Sequence, residues 1–302
     1  MGISHRRCKD KPFRRFFIAL VIFLFCASNL IKAKGNLTYI YSEAIFDQTP
    51  KLVVHRGALP GFIPNTREAI VHTLNLIPGA TIEIDVRETS DGMLVLLHDP
   101  LLDSETSAEG NVAEKKWDEL QQHFRRDANG KITNVSITRL WEIIELLGKY
   151  PNAELQIESK PKNSSEYDTL ALMVLSDPDI AKRIIITSGD LNILQLIHEK
   201  YSALRLGWDP GKLIKDKLHI TMVNEIIARA KTINAEIIYL DYGLISENSA
   251  AIFVQEFHDV GIAVDVWTIN DPFKMCQFIR SGADRITTDR ADLFYAIALL
   301  CP

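Results

Sequence analysis

Two histidines stand where short apolar runs of the sequence end, at positions that otherwise exclude a polar side chain. His55 closes the run that begins at Leu52, and His98 follows the run Met93–Leu97. The histidine side chain changes charge near neutral pH and can therefore donate or accept a proton during a reaction. We predict that His55 and His98 form an acid/base pair, and the sequence does not say which of them is the acid.

Three carboxylates form a second candidate group. Glu83 and Asp85 alternate along one apolar run, so both point to the same side of a strand. Glu158 and Lys160 have the same relationship in a later run. Carboxylates held together inside a protein do not all stay ionised without a cation, and oxygen ligands favour Ca²⁺ or Mg²⁺. The sequence therefore predicts a divalent cation held by Glu83, Asp85 and Glu158, with a structural Glu158–Lys160 ion pair as the alternative.

Two further residues end apolar runs. Trp267 is followed by Thr268 and Asn270, so we predict that it forms a wall of the binding site for an organic substrate. An ordinary core position is the alternative for this tryptophan. Asp289 is a further candidate at a strand end, and its alternative is to cap a helix that begins at Ala291.

The elements that must position these residues alternate between short β-branched runs and amphipathic helical stretches. This alternation is typical of βα units around a parallel sheet. The strand-like runs are Leu52–His55, Ile82–Val86, Glu154–Glu158, Ile184–Thr187, Leu204–Gly207, Ile237–Leu240, Ile262–Trp267 and Ile286–Thr288. The helical patterns are Thr66–Leu76, Leu140–Tyr150, Leu191–Tyr201, Met222–Ile233, Ser246–Val260 and Asp271–Ser281. Eight such strands predict an α/β fold, the (β/α)8 TIM barrel, whose reacting groups lie at the C-terminal strand ends. A doubly wound open sheet is the competing prediction, but no glycine-rich loop follows the first run.

One run, Met93–Leu97, does not fit the alternation of strands and helices. The dipeptide Asp91-Gly92 precedes it and predicts a tight hairpin turn after the second barrel strand. A two-residue turn pairs Ser90 with Met93 and thereby places His98 opposite Asp85. The following segment, residues 99–138, is predicted to be a small insertion over the C-terminal mouth, with one short helix near Lys115–Phe124.

The N-terminus carries a targeting pattern. Six basic residues between Arg6 and Arg15 precede the apolar run Phe16–Ala27, which is shorter than the about 20 residues of a bilayer span. We predict a signal peptide or N-terminal membrane anchor in residues 1–33, a linker in 34–50 and the barrel domain in 51–302. The barrel is then exported, as a periplasmic or secreted protein, or anchored to a membrane outside the cytoplasm.

Composition narrows the remaining classes. The 302-residue chain is 47% hydrophobic and 24% charged, as in packed enzymes. Its net charge of -5 is spread without long single-sign blocks, which argues against a nucleic-acid partner. None of the four cysteines forms a CxxC pair, and Cys8 and Cys26 lie in or before the apolar run. The sequence therefore implies neither a disulfide nor a zinc framework.

Short motifs follow one another in order from about Leu52 to Asp292. They are Val54-His55-Arg56-Gly57, Asn65-Thr66, Glu83-Ile84-Asp85-Val86, Asp91-Gly92, His98-Asp99-Pro100, Glu158-Ser159-Lys160, Trp267-Thr268-Ile269-Asn270 and Thr288-Asp289. In their order and spacing they resemble the glycerophosphodiester phosphodiesterase family.

This resemblance implies a TIM barrel that hydrolyses a small-molecule or lipid-derived phosphodiester to glycerol 3-phosphate and an alcohol. In the family the glycerol 2-hydroxyl is thought to attack phosphorus, and water then opens the cyclic phosphate. The roles that the resemblance implies are metal binding by Glu83, Asp85 and Glu158, acid/base catalysis by His55 and His98, and phosphate binding by Arg56 and Lys160.

The sequence departs from the family pattern at two places. Proline stands at position 64, where the family usually has glutamate, and the later Asp-Gly-Ile-Ile-Thr-Asp pattern is altered in Asp284–Asp289. Three other functions remain as alternatives. The first is a phospholipase C-like or sphingomyelinase D-like lipase, which an exposed apolar rim on the insertion would favour. The second is a catalytically silent binding scaffold, which Pro64 favours. The third is a glycosidase. Three carboxylates beside Lys and Arg suit a phosphate ligand better than the paired-acid site of a glycosidase.

Overall fold

The apolar runs of the sequence form a closed barrel. Within the residues that the computed structural model describes, 50–160 and 164–301, eight parallel strands follow one another around a ring. The first strand pairs with the last and with the second, which closes the ring. The predicted (β/α)8 barrel is confirmed, and the alternative of an open sheet is wrong. The predicted leader and nearly all of the linker lie outside the described residues.

The strand bounds agree closely with the predicted runs. The barrel strands are β1 (Lys51–Val54), β2 (Thr81–Glu88), β6 (Glu154–Ser159), β7 (Ile184–Ser188), β8 (Arg205–Trp208), β9 (Ile237–Asp241), β10 (Ala263–Trp267) and β11 (Arg285–Thr288). The other strands are β3 (Leu94–Leu96), β4 (Phe124–Arg126) and β5 (Ile132–Ser136).

Helices follow the strands, and most of them cover the outside of the barrel. They are α1 (Arg67–Leu76), α2 (Trp117–Leu120), α3 (Leu140–Leu147), α4 (Ser164–Leu175), α5 (Pro178–Ala181), α6 (Leu191–Lys200), α7 (Ile220–Lys231), α8 (Ala250–His258), α9 (Pro272–Arg280) and α10 (Ala291–Leu300). Because these helices shield the outer faces and side chains fill the interior, the strands are buried on both sides, as in β7, where all five residues are buried. Among the helices of this described part, none is long and apolar enough to span a membrane.

The predicted hairpin after β2 is present, but its register differs by one residue. Val86 pairs with Leu96, and the backbone N–H of Leu97 donates to the carbonyl of Asp85. The loop contains three residues, not two, because Thr89 pairs with Met93 across Ser90–Gly92. Gly92 has a φ of +85°, as in three-residue hairpin loops that end in a left-handed residue. The predicted pairing of Asp85 with His98 is therefore wrong.

The segment after β3 is an insertion, as predicted. It has a small hydrophobic core of its own. It contains the short helix α2 and the antiparallel pair of β4 and β5. Apolar side chains of this segment pack against the back of β3, among them Leu102, Val112 and Leu120. The buried guanidinium of Arg125, on β4, ties the insertion to the barrel by donating to the carbonyls of Asn65 and Leu96 at 3.2 and 3.0 Å.

The structure contains a disulfide that the cysteine spacing does not imply. Cys276 on α9 and Cys301 at the end of α10 are bonded, with their Cα atoms 5.4 Å apart. The two cysteines are 25 residues apart in sequence, and only the packing of the last two helices brings them together. The bond fastens the C-terminal helix beside the strands at which the barrel closes.

Candidate active site

The chain turns sharply where β1 ends, and this turn carries His55 and Arg56. Residues His55–Gly57 form a tight turn. Arg56 is left-handed (φ 53°), and its backbone N–H donates to Glu83 Oε2 at 2.8 Å. Gly57 is left-handed as well (φ +65°), and a Cβ atom there would lie 2.4 Å from Ile70 Cγ1. Only glycine therefore fits the turn that directs Arg56 toward Glu83.

A carboxylate from the last barrel strand holds His55. Nδ1 of His55 lies 2.7 Å from Oδ1 of Asp289, which follows β11 directly. Asn270 fixes Asp289 in turn, donating to Oδ2 at 2.6 Å and accepting from the backbone N–H at 2.9 Å. Burial alone would raise the pKa of Asp289, but the hydrogen bond and positive charge of His55 bring that pKa below its ordinary value. The other ring nitrogen, Nε2, lies 3.9 Å from Glu83 Oε2.

His98 is held in the same manner although the hairpin register differs from the prediction. The chain bends after β3, and Arg87 donates to the His98 carbonyl from Nε at 2.8 Å and from Nη2 at 2.5 Å. Nδ1 of His98 lies 2.7 Å from Asp99 Oδ1, and Ser104 donates to the other oxygen of Asp99 at 3.0 Å. The hydrogen bond from His98 lowers the pKa of Asp99. Both predicted histidines thus use Nδ1 for an aspartate and keep Nε2 for other partners.

The three predicted carboxylates converge. Asp85 on β2 lies beside Glu158 on β6 in the strand register, and Glu83 precedes Asp85 by two residues on the same face. Oxygen atoms of the three side chains lie within 4.8 Å of one another. Glu83 and Asp85 are only 4% and 1% exposed. Three acidic groups at this separation in a buried position repel one another strongly.

The electrostatics of the cluster fit a divalent cation. Burial raises the pKa of Glu83 well above its ordinary value, and the charges of Asp85 and Glu158 add to that effect. Burial also raises the pKa of Glu158, whereas Lys160 opposes the shift. Glu83 Oε1 is buried and has no hydrogen-bond partner among the residues that the structure describes. A cation at this position would give that oxygen a partner and offset the repulsion, and an all-oxygen set suits Ca²⁺ or Mg²⁺.

Two basic side chains adjoin the carboxylates. Lys160 Nζ lies 2.9 Å from Asp85 Oδ1 and 3.5 Å from Glu158 Oε1. Arg56 Nε lies 3.3 Å from Asp85 Oδ2. Burial alone would raise the pKa of Asp85, but Lys160 and Arg56 bring it below its ordinary value. An anionic ligand beside the cluster therefore meets two cationic side chains.

One cavity of about 210 Å³ gathers these residues. All eight residues that the sequence predicts to bind metal or substrate or to catalyse the reaction line this cavity: His55, Arg56, Glu83, Asp85, His98, Glu158, Lys160 and Trp267. Trp267 is partly buried and packs against the cluster of Ile185, Ile237 and Tyr239, so it is both a wall of the cavity and part of the core around it. Pro64, where the family usually has glutamate, is exposed and does not line this cavity.

Several supporting residues could not be assigned from the sequence. Asp289 pairs with His55, and the N-cap residue of α10 is Arg290, so the helix-cap interpretation of Asp289 is wrong. Asn65 donates to Asp85 Oδ2 at 2.8 Å and accepts from the Asp85 backbone at 3.1 Å. The sequence signals are weak: Asp289 ends the last strand, and Asn65 belongs to a short motif.

Glu105 and Arg125, which lie in the insertion, also help to hold the residues of the site. Glu105 accepts the backbone N–H of Asp99 at 2.6 Å through Oε1, and its Oε2 lies 2.7 Å from Arg125 Nη2. Arg125 also donates to the Asn65 carbonyl. One buried guanidinium therefore connects Glu105, which holds Asp99 beside His98, with Asn65, which holds Asp85. No sequence pattern indicates this link.

Comparisons with known proteins agree with the geometry. The sequence model of the glycerophosphoryl diester phosphodiesterase family matches residues 55–293. A glycerophosphodiester phosphodiesterase of Bacillus subtilis is 22% identical over 304 residues, covering 96% of this chain and 98% of the relative. A glycerophosphodiester phosphodiesterase of Caldanaerobacter subterraneus is 25% identical, covering 79% of this chain and 93% of the relative.

Solved structures share the fold. A glycerophosphodiester phosphodiesterase from Parabacteroides distasonis superposes with a TM-score of 0.68 at 21% identity, covering 84% of this chain and 98% of the other. A phosphodiesterase from Oleispira antarctica, in complex with the product sn-glycerol-3-phosphate, superposes with a TM-score of 0.64 at 18% identity, covering 84% and 98%.

Proposed function

Because the chain belongs to the glycerophosphoryl diester phosphodiesterase family, we propose that it hydrolyses glycerophosphodiesters to glycerol 3-phosphate and an alcohol. The observation that carries this proposal is the arrangement of one cavity. Two histidines, each held by an aspartate, line it together with three converging carboxylates. Arg56 and Lys160 supply the positive charge that an anionic phosphodiester requires.

The acidic cluster is proposed to hold Ca²⁺ or Mg²⁺ through Glu83, Asp85 and Glu158. When bound, such an ion neutralises charge on the phosphate oxygens and favours attack on phosphorus. The side chains of Arg56 and Lys160 are proposed to bind the same oxygens, since guanidinium and ammonium groups are both common phosphate donors. Trp267 is proposed to pack against the organic part of the substrate.

Proton transfer is assigned to the two histidines. One removes the proton of the attacking hydroxyl, and the other protonates the oxygen of the leaving alcohol. Asp289 and Asp99 each accept a hydrogen bond from Nδ1, which fixes the tautomer with Nε2 available for the reaction. Each transfer is typically worth about 10² to 10⁴ in rate.

A lipid-derived substrate is the second candidate. Three large apolar side chains of the insertion are exposed, Leu101 at 54%, Ile132 at 46% and Phe124 at 38%. Leu101 follows His98 by three residues, so at least one apolar group stands close in sequence to the proposed acid/base pair. A lysophospholipid therefore belongs beside the water-soluble diesters in any assay of this protein.

The test is product identification by ³¹P NMR with the purified protein. Glycerophosphocholine and lysophosphatidylcholine are offered separately, in the presence of Ca²⁺ or Mg²⁺. The proposal predicts glycerol 3-phosphate from glycerophosphocholine. Choline phosphate would indicate phospholipase C-like cleavage instead, and cleavage of the lysolipid alone would support a lipase. No product from either substrate, together with Ca²⁺ binding, would support the silent scaffold.

We also propose that the barrel acts outside the cytoplasm, exported or tethered to a membrane by residues 1–33. The basic and apolar N-terminal pattern motivates this proposal. The Cys276–Cys301 disulfide supports it, because disulfides persist mainly in oxidising compartments. Cell fractionation tests it, and a full-length protein with an intact leader in the cytosolic fraction would contradict it.

A further inference from the structure

A second cavity of about 330 Å³ adjoins the active-site cavity. The two share Glu158, Lys160 and Asp209 as lining residues, so the second cavity lies directly beside the proposed phosphate site. The second cavity extends beneath the loops that follow β7 and β8. Since one water occupies about 30 Å³, this space is large enough for a group of several heavy atoms.

The wall of this second cavity carries two aspartates with spare acceptor capacity. Asp209 Oδ1 accepts the backbone N–H of Gly211 at 2.8 Å, and Asp190 Oδ1 accepts that of Asn192 at 3.0 Å, at the start of α6. Within the part of the chain that the structure describes, the second oxygen of each carboxylate has no hydrogen-bond partner. Two acceptor oxygens thus remain for a ligand.

The basic residues of the same wall do not cancel this acidic character. The ammonium of Lys160 lies against Asp85, on the side of the active site. Lys212 is largely exposed, but it lines the cavity, and its positive charge opposes the rise that burial causes in the pKa of Asp209. The lining still carries three carboxylates, Glu158, Asp190 and Asp209, against two ammonium groups, and the Ser188 hydroxyl is a further polar group.

We propose that this cavity binds the alcohol half of the substrate and that Asp209 and Asp190 select an alcohol that carries a primary ammonium group. The proposal rests on the proposed phosphodiesterase function, because the shared lining places the cavity beside the phosphate-binding side chains. A primary ammonium donates several N–H bonds, which suits carboxylate oxygens. A quaternary ammonium instead prefers a cage of aromatic faces, and Tyr167 is the one aromatic side chain among the described lining residues.

The experiment compares binding of glycerophosphoethanolamine with that of glycerophosphoglycerol, whose alcohol is neutral. Dissociation constants are measured by isothermal titration calorimetry with Ca²⁺ present, on a full-length His98→Ala protein that turns over slowly. Asp209→Asn and Asp190→Asn are made in that background. Asparagine keeps the acceptor used by the Gly211 N–H and retains the cap of α6, so the fold is preserved. Asp179→Asn, at an exposed site outside both cavities, is the matched control for loss of one negative charge.

We expect the ethanolamine ester to bind at least about fivefold more tightly than the glycerol ester. Asp209→Asn and Asp190→Asn should each reduce that ratio about three- to tenfold, because a hydrogen bond to a charged group is lost. The dissociation constant of the glycerol ester should stay within about twofold in both variants, and Asp179→Asn should change neither constant. A ratio that survives both variants, an equal loss for both esters, or no binding of either ester overturns the proposal.

Turnover by the wild-type protein separates this inference from the proposed function. If the ethanolamine preference in binding is present but no ester is hydrolysed, the proposed function fails and the subsite stands. If both esters are hydrolysed with equal kcat/KM and bind equally, the subsite fails and the phosphodiesterase function stands.

Discussion

His55 and Asp289 are 234 residues apart in sequence, and their Nδ1 and Oδ1 atoms lie 2.7 Å apart. The contact exists because β1 and β11 are the strands at which the barrel closes. His98 and Asp99, adjacent in sequence, form the same pair at the same distance. The proposed acid/base pair thus consists of two histidine–aspartate units that reach one cavity from different parts of the fold.

We predict that Asp289→Asn and Asp99→Asn each lower kcat at least about tenfold with little change in KM. An amide does not stabilise the positively charged imidazole, and it permits the wrong tautomer. His55→Ala and His98→Ala should each cost at least about 10² in rate. Steady-state kinetics on glycerophosphocholine measure these effects.

A matched control is available in the pair His258–Asp284, whose Nε2 and Oδ2 lie 2.7 Å apart. Asp284 precedes β11 and therefore lies at the opposite end of the strand from Asp289. Asp284→Asn should leave kcat within about twofold of the wild type, since neither residue lines the cavity. Equal losses of kcat in Asp284→Asn and Asp289→Asn would show a general effect on the fold. That result would reject the role of Asp289 in positioning His55.

Metal binding should release protons and weaken as the pH falls. Burial, with the charges of Asp85 and Glu158, raises the pKa of Glu83 well above its ordinary value, so this carboxyl keeps its proton to higher pH than a free glutamate. A cation binds the ionised form and displaces that proton, so affinity rises as pH increases through the raised pKa. Titration calorimetry in two buffers of different ionisation enthalpy measures the release. Proton release that is the same in Glu83→Gln as in the wild type would contradict this assignment.

Arg125 should support both stability and catalysis. It is 2% exposed and joins Glu105 to the Asn65 carbonyl. Arg125→Met leaves the Glu105 charge without its partner and should lower the free energy of unfolding by about 3 kcal/mol or more. The double variant Arg125→Met/Glu105→Gln should lose less than the sum of the two single variants. If kcat is unchanged at temperatures where Arg125→Met is folded, Arg125 contributes to stability alone.

The disulfide should contribute to stability without affecting turnover. Cys276 and Cys301 are 25 positions apart in sequence, and a crosslink of this span typically contributes about 3 kcal/mol. We expect Cys276→Ser/Cys301→Ser to unfold at a lower temperature than the wild type and to keep its kcat, because neither cysteine lines the active-site cavity. Thermal unfolding with and without reductant measures the difference. A wild-type melting temperature that does not respond to reductant would show that the bond does not form.

Most of the fold could be predicted because each βα unit has a local signal, an apolar run followed by an amphipathic stretch. The register of the hairpin could not be predicted in the same way. Asp91-Gly92 suits both a two-residue and a three-residue loop, and the choice changes every pairing in β3 by one position. His98 lines the cavity in spite of this error, since it lies beyond the last paired residue of β3.

The lining residues of the cavity could be named because they lie at strand ends, where polar groups are conspicuous. The supporting roles of Asp289 and Arg125 could not be predicted because each acts across a long sequence separation. Asp289 reaches His55 only after the barrel closes, and Arg125 reaches Asn65 only after the insertion folds back onto it. The Cys276–Cys301 bond likewise depends on the packing of two helices, which cysteine spacing alone does not reveal.

The most direct test of the central claim is the dependence of hydrolysis on a divalent cation bound by Glu83, Asp85 and Glu158. The purified protein is dialysed against excess EDTA, and release of glycerol 3-phosphate from glycerophosphocholine is measured before and after adding Ca²⁺ or Mg²⁺, alongside Glu83→Gln. We predict that chelation abolishes activity, that one of the two ions restores it, and that Glu83→Gln recovers poorly at the same ion concentration. Full activity of the wild type in excess EDTA after dialysis would contradict the account.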